Sequence, residues 1–167
     1  MDFPSLKTYH KESYAAISPM LPEVRQEGKT ILITGGSEGI GFAIAQAFIA
    51  ASAKTIIIVS RHADKVNSAV AELTKQATST GSPTVTEGRV CDVSSLESTE
   101  ALWTGLQNDG IFIDVLVLNA AHVGVRKSLL ENGRDGILHE YNVNFRGTLD
   151  FAEHLYKQKG GAGKRKV

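Results

Sequence analysis

Cysteine is nearly missing from this 167-residue chain: Cys91 stands alone and cannot close an internal disulfide. A single Cys in a strand-like stretch reads as buried packing rather than chemistry. An excess of charge is also lacking, because 18 Lys and Arg offset 18 Asp and Glu. Nothing in that balance points to nucleic acid or anionic lipid as a partner. The longest apolar-rich stretch, Ile40 to Ala53, is interrupted by Gln46 and Ser52 and falls short of a membrane span. The opening MDFPSLKTYHKESY has no basic segment followed by an apolar one, so no secretory signal is read and a cytoplasmic location is expected.

What is present is a rhythm. Residues 1–28, with Pro4, Pro19 and Pro22 and no clear period, read as an irregular surface arm. From Lys29 onward short β-branched runs alternate with helical spacing. KTILITGG is a buried strand closed by glycine, and Ile40, Ala43, Ile44, Ala47, Phe48 and Ala51 follow at helical intervals. KTIIIVSR is a second strand, and Val66, Ala69, Val70 and Leu73 form the stripe of a second helix. TVTEGRVCDV reads as a third strand. Ser94 and Ser95 can cap a helix through Leu96, Ala101, Leu102 and Leu106. DVLVLNA, almost wholly apolar, reads as a fourth strand covered on both faces. A long helix is expected from about Gly136 to Tyr156. The basic, Gly-rich KQKGGAGKRKV reads as a solvated loop, with a targeting or nucleic-acid tail as the alternative. The expected fold is α/β: a doubly wound parallel sheet, Rossmann-like but incomplete, of about four strands ordered 3-2-1-4 with helices on both faces, over residues 29–167.

The turn between the first strand and helix, Thr34-Gly35-Gly36-Ser37-Glu38-Gly39-Ile40-Gly41, carries the chemistry. The first turn of a helix presents unpaired N–H groups and the positive end of its dipole, a natural seat for a phosphate. Glycines at 35, 39 and 41 supply the turn, the clearance and close helix-to-strand packing. No Lys-Ser or Lys-Thr pair follows the last glycine, so the spacing differs from that of phosphate-loop NTPases.

This TGxxxGIG pattern resembles the short-chain dehydrogenase/reductase family, in its fungal form, and the resemblance runs from about Lys29 to the end. It implies cofactor contacts from Thr34, Gly35, Ser37, Gly39, Ile40 and Gly41. Asp92, with Val93 beside it, matches the family's acidic residue that binds the adenine amino group. Leu118-Asn119-Ala120-Ala121 resembles Asn-Asn-Ala-Gly, departing at Leu118 and Ala121 and agreeing at Asn119 and Ala120. Asn144 stands where the family places a helix-kinking, proton-relaying Asn. The implied activity is hydride transfer between a nicotinamide cofactor and a small carbonyl or alcohol, and the fungal likeness extends to reductases of secondary metabolism.

After the second strand the chain reads Val59-Ser60-Arg61, with no carboxylate at the strand end. A guanidinium there favours NADP(H) over NAD, although Glu38 is an unfavourable neighbour for an extra phosphate. The family's catalytic Ser and YxxxK are missing. Tyr9, Tyr14, Tyr141 and Tyr156 are followed four positions on by Ser13, Ser18, Phe145 and Gly160. The resemblance therefore implies a chain that stops before the fifth strand, with an apolar fourth-strand edge, marginal stability, and possible self-association through that edge or the long C-terminal helix. The alternative is a non-catalytic nucleotide-binding or interaction module from a truncated reductase.

Overall fold

Four β-branched runs become strands in the computed structural model, which describes residues 14–124 and 127–159. They are β1 (Thr30–Thr34), β2 (Thr55–Ser60), β3 (Val85–Val90) and β4 (Val115–Leu118). All pair in parallel in the order β3-β2-β1-β4, as the alternation of strand and helix patterns implied. Helices α1 (Gly39–Ala50), α2 (Ala63–Ser79) and α3 (Leu96–Asn108) connect them.

Strand pleating sends alternate side chains to opposite faces. Ile31, Ile33, Ile56 and Ile58 pack with Ala45, Ile49, Ala69 and Leu73 of α1 and α2. Leu32, Ile57 and Val59 face the other way, onto Leu102, Trp103 and Leu106 of α3 and onto Phe151. The α1 stripe is rotated from the expected one: Gly41, Ala45 and Ile49 are buried, Ala43 and Ala47 are exposed, and Ile40 is 75% exposed. In α3 the buried set is Thr99, Leu102, Trp103 and Leu106, while Leu96 and Ala101 face outward.

Two strands are shorter than their apolar runs. β3 stops at Val90 because the Asp92 amide donates to Ser98 Oγ. β4 stops at Leu118 because the amides of Asn119 and Ala120 both donate to Thr34 Oγ1. β4 is also only half-buried, not covered on both faces, since it lies at the sheet edge with Leu118 40% exposed.

The long C-terminal helix begins earlier than expected and is interrupted. α4 (Leu129–Tyr141) opens on a reciprocal cap between Ser128 and Glu131, and Gly133 leaves helical geometry at φ 71°, ψ 169°. A π-helical turn, Asn142–Arg146, then leads into α5 (Gly147–Lys157). Gln158 exchanges two hydrogen bonds with the Ile113 backbone, tying the end of α5 to the start of β4. Residues 14–28 form two single 3-10 turns, largely exposed. The expectations for residues 1–13 and for the tail after Lys159 lie outside the described residues.

Candidate functional site

Parallel strands deliver all their C-terminal ends to one rim, and the loops there converge on a cleft of about 310 Å³. It is lined by Gly35, Ser37 and Glu38 after β1; Val59, Ser60, Arg61, His62 and Lys65 after β2; Cys91, Asp92 and Val93 after β3; and Asn119, Ala120, Ala121 and His122 after β4, with Val143. Of the residues singled out in the sequence, Gly35, Ser37, Arg61, Asp92, Val93, Asn119 and Ala120 therefore meet in one place.

Thr34, Gly39, Ile40, Gly41 and Asn144 do not line that cleft. Thr34 is buried, and its hydroxyl donates to Val117 O at 3.4 Å while accepting from the Asn119 and Ala120 amides at 3.0 and 3.1 Å. It fastens the glycine turn to the loop after β4. Asn119 completes the fastening by donating from Nδ2 to Thr34 O and Gly35 O, at 3.1 and 3.2 Å. Gly35 sits at φ 66°, and a Cβ there would stand 2.9 Å from Asn119 Nδ2; a Cβ at Gly41 would overlap the Gly35 carbonyl oxygen. Gly39 opens α1 at φ 57° with open space where a Cβ would point. No side chain caps α1, so its first amides keep their free positive end toward the rim.

Asp92 is the most structured acid of the site. Its Oδ1 accepts from the Ser94 amide at 2.9 Å and from Ser94 Oγ at 2.7 Å. Burial opposes ionisation, but these two bonds, with the charges of Arg61 and His139, hold the carboxyl below its ordinary pKa. Cys91 beside it is buried, and that burial raises its thiol pKa against weaker hydrogen-bonding effects from Ser98 and Thr99. It is a neutral wall of the cleft.

Asn144 lies in the π-helical turn and grips the His122 backbone from both sides. Oδ1 accepts from the His122 amide and Nδ2 donates to its carbonyl, each at 2.8 Å. His122 in turn meets the His139 ring edge-on at 4.7 Å. Sequence reasoning passed over His122, His139 and Lys65. His122 was within reach, since it directly follows Asn119-Ala120-Ala121; Lys65 was legible only as an ordinary first-turn helix cation.

The sequence model of the short chain dehydrogenase family matches residues 29–164. The chain belongs to the short-chain dehydrogenase family. Among its relatives, a short-chain dehydrogenase/reductase of Claviceps purpurea is 36% identical over 158 residues, covering 95% of this chain and 51% of that protein. Sorbose reductase of Schizosaccharomyces pombe is 31% identical over 140 residues, covering 80% of this chain and 52% of that protein. The solved L-sorbose reductase of Gluconobacter frateurii, complexed with NADPH and L-sorbose, superposes with a TM-score of 0.69 at 25% identity, over 78% of this chain and 47% of that one. This short-chain dehydrogenase chain thus spans about half the length of the relatives it matches. The family is one of oxidoreductases, and these likenesses do not favour a non-catalytic interaction module.

Proposed function

We propose that this chain is the nucleotide-binding part of an NADP-dependent oxidoreductase that moves hydride between the nicotinamide and a small carbonyl or alcohol substrate. The observation that carries the reading is the uncapped start of α1 opening beside a cleft whose β2 side bears Arg61 and Lys65, with no carboxylate at the end of β2. A helix N-terminus suits a pyrophosphate, and a guanidinium suits a 2′-phosphate. The NADPH complex of the structurally similar Gluconobacter frateurii reductase supports the same choice.

In this reading Thr34 and Gly41 shape the turn, Gly35, Ser37, Gly39 and Ile40 approach the phosphates, and Arg61 meets the 2′-phosphate. Asp92 and Val93 take the adenine end, and Asn119 and Ala120 the ribose. Asn144 acts as a positioning residue that fixes His122 at the cleft wall, next to the place the family gives its proton relay. When bound, the cofactor supplies or accepts the hydride. None of Tyr9, Tyr14, Tyr141 and Tyr156 has a Lys four positions on, so no carbonyl-activating pair is assigned in this chain. We further propose residues 29–167 as the nucleotide-binding domain behind an arm at 1–28, a cytoplasmic setting, a role in fungal secondary metabolism in keeping with the fungal relatives, and self-association through the β4 edge or α5.

The test is titration calorimetry of the full chain with NADPH and NADH, for wild type and Arg61→Ala. Arg61→Ala is expected to weaken NADPH by about tenfold, the value of a charge-assisted phosphate contact, while leaving NADH nearly unchanged. Equal loss for both nucleotides would remove Arg61 from the 2′-phosphate site.

A further inference from the structure

A second cavity lies at the opposite end of the sheet from the nucleotide cleft. It holds about 320 Å³ between α3 and α5, toward the lower end of the range for small-molecule sites, and shares no lining residue with the cleft. Gln158 fixes its place: this wall residue bonds to the Ile113 backbone just before β4, whereas the cleft lies beyond the C-terminal ends of the strands. Leu106, 1% exposed, and the partly buried Ile111 supply an apolar lining. Trp103 and His154 add two rings to it, nearly parallel at 9° with their centroids 5.5 Å apart.

The ring pair is held from both helices. His154 Nε2 lies 3.4 Å from Glu100 Oε2 of α3 and 3.7 Å from Asp150 Oδ1 of α5, which sets the imidazole against the indole. Packing alone does not account for this wall. Trp103 Nε1 is buried and finds no hydrogen-bond partner among the described residues, and a donor left so costs stability. The charged groups of the lining differ in what they already hold. Lys157 pairs with Glu153 along α5 and Glu100 faces His154, but Lys159 makes no ion pair among the described residues. One uncommitted ammonium, with Glu100 nearby to repel further negative charge, suits an occupant with a single anionic group.

We propose that this cavity is a second small-molecule site, one that takes a flat aromatic ring system carrying one carboxylate. The ring system lies against Trp103 and His154, where offset stacking adds to the apolar burial offered by Leu106 and Ile111. The carboxylate meets Lys159. A nucleotide, with several phosphate charges, is disfavoured here by the Glu100 carboxylate. The site stands independently of the nucleotide reading of the cleft.

The experiment is a titration of the full isotope-labelled chain with 2-naphthoate, followed by NMR, with spectral dispersion verifying the fold. Trp103 is the one tryptophan of the sequence, so the single indole N–H resonance reports on the cavity wall. We expect 2-naphthoate to shift that resonance saturably, and to the same degree when NADP is present in excess. Lys159→Met is expected to weaken the acid by about fivefold, the upper range of an exposed charge contact, and Lys159→Arg to restore it. Lys159→Gln stands in if Lys159→Met does not fold. The neutral 2-naphthamide should bind more weakly than the acid and be indifferent to Lys159→Met, and octanoate, an acid without a ring, should also bind more weakly. A folded wild type whose indole resonance does not respond to 2-naphthoate would overturn the inference. So would displacement of 2-naphthoate by NADP, a Lys159→Met chain that binds it as well as the wild type, or equal binding of 2-naphthamide or octanoate.

Discussion

Thr34 and Asp92 show how single side chains hold this cleft open. The Thr34 hydroxyl takes two amides from the loop after β4 and gives its own proton to Val117 O, so three backbone groups near the cleft are satisfied by one buried atom. Asp92 is held ionised by Ser94, and the sign of the resulting pH effect is fixed. A carboxyl whose folded pKa lies below its unfolded value contributes stability that is complete above the unfolded value and lost as pH falls through the folded one. Denaturant titrations should therefore show a loss of stability beginning below about pH 4, the ordinary carboxylate value, and the loss should be smaller in Ser94→Ala. Identical acid-limb slopes in the two proteins would show that Ser94 does not tune Asp92. The glycine turn was legible in the sequence because its spacing follows from the strand–turn–helix it occupies, whereas Asp92 was singled out only through its match to the family's acidic residue. Lys65 was not, because its partner Glu38 is 27 residues away and only the fold brings the two together.

At the scale of elements, α1, α2 and α3 all end alike. Beyond each last turn, an amide reaches back to a carbonyl five residues earlier: Ala53 to Phe48, Ser82 to Ala77 and Ile111 to Leu106. The residue in between takes a left-handed conformation, and in α2 and α3 it is Gly81 and Gly110. In α1 it is Ser52, at φ 59°, the one non-glycine with positive φ among the described residues. Relieving that Cβ strain, Ser52→Gly is expected to raise stability by about 1 kcal/mol in urea titration; a destabilised variant would mean that the side chain makes a contact outweighing the strain. The strand cores were readable from β-branched runs, whereas their ends were set by Thr34 and Ser98 hydroxyls drawing amides out of the ladder. The interruption of the last helix was readable in part. A kink was expected only from the family likeness at Asn144, which holds the His122 backbone from the π-helical turn at Asn142–Arg146, and the start at Ser128 was missed although Ser128 and Glu131 have the spacing of a reciprocal cap.

For the whole molecule, the parallel order β3-β2-β1-β4 gathers four loops at one rim, and the cleft is a direct product of that topology. The alternation of strand and helix patterns made the order predictable, because right-handed crossovers leave few arrangements. The exposure of β4 and of Leu129, Leu130 and Leu149 on the last helices could not be read from periodicity, since an apolar run does not say whether a neighbour covers it. We expect this rim to bind a nicotinamide nucleotide through the start of α1. The most direct test is calorimetric titration of the full chain and of Gly39→Val with NADPH, each first shown to be folded by circular dichroism. We expect saturable binding by the wild type that is abolished in Gly39→Val, whose side chain would fill the open space at the helix start. A folded wild type without binding, or a folded Gly39→Val that binds as well as the wild type, would contradict the claim.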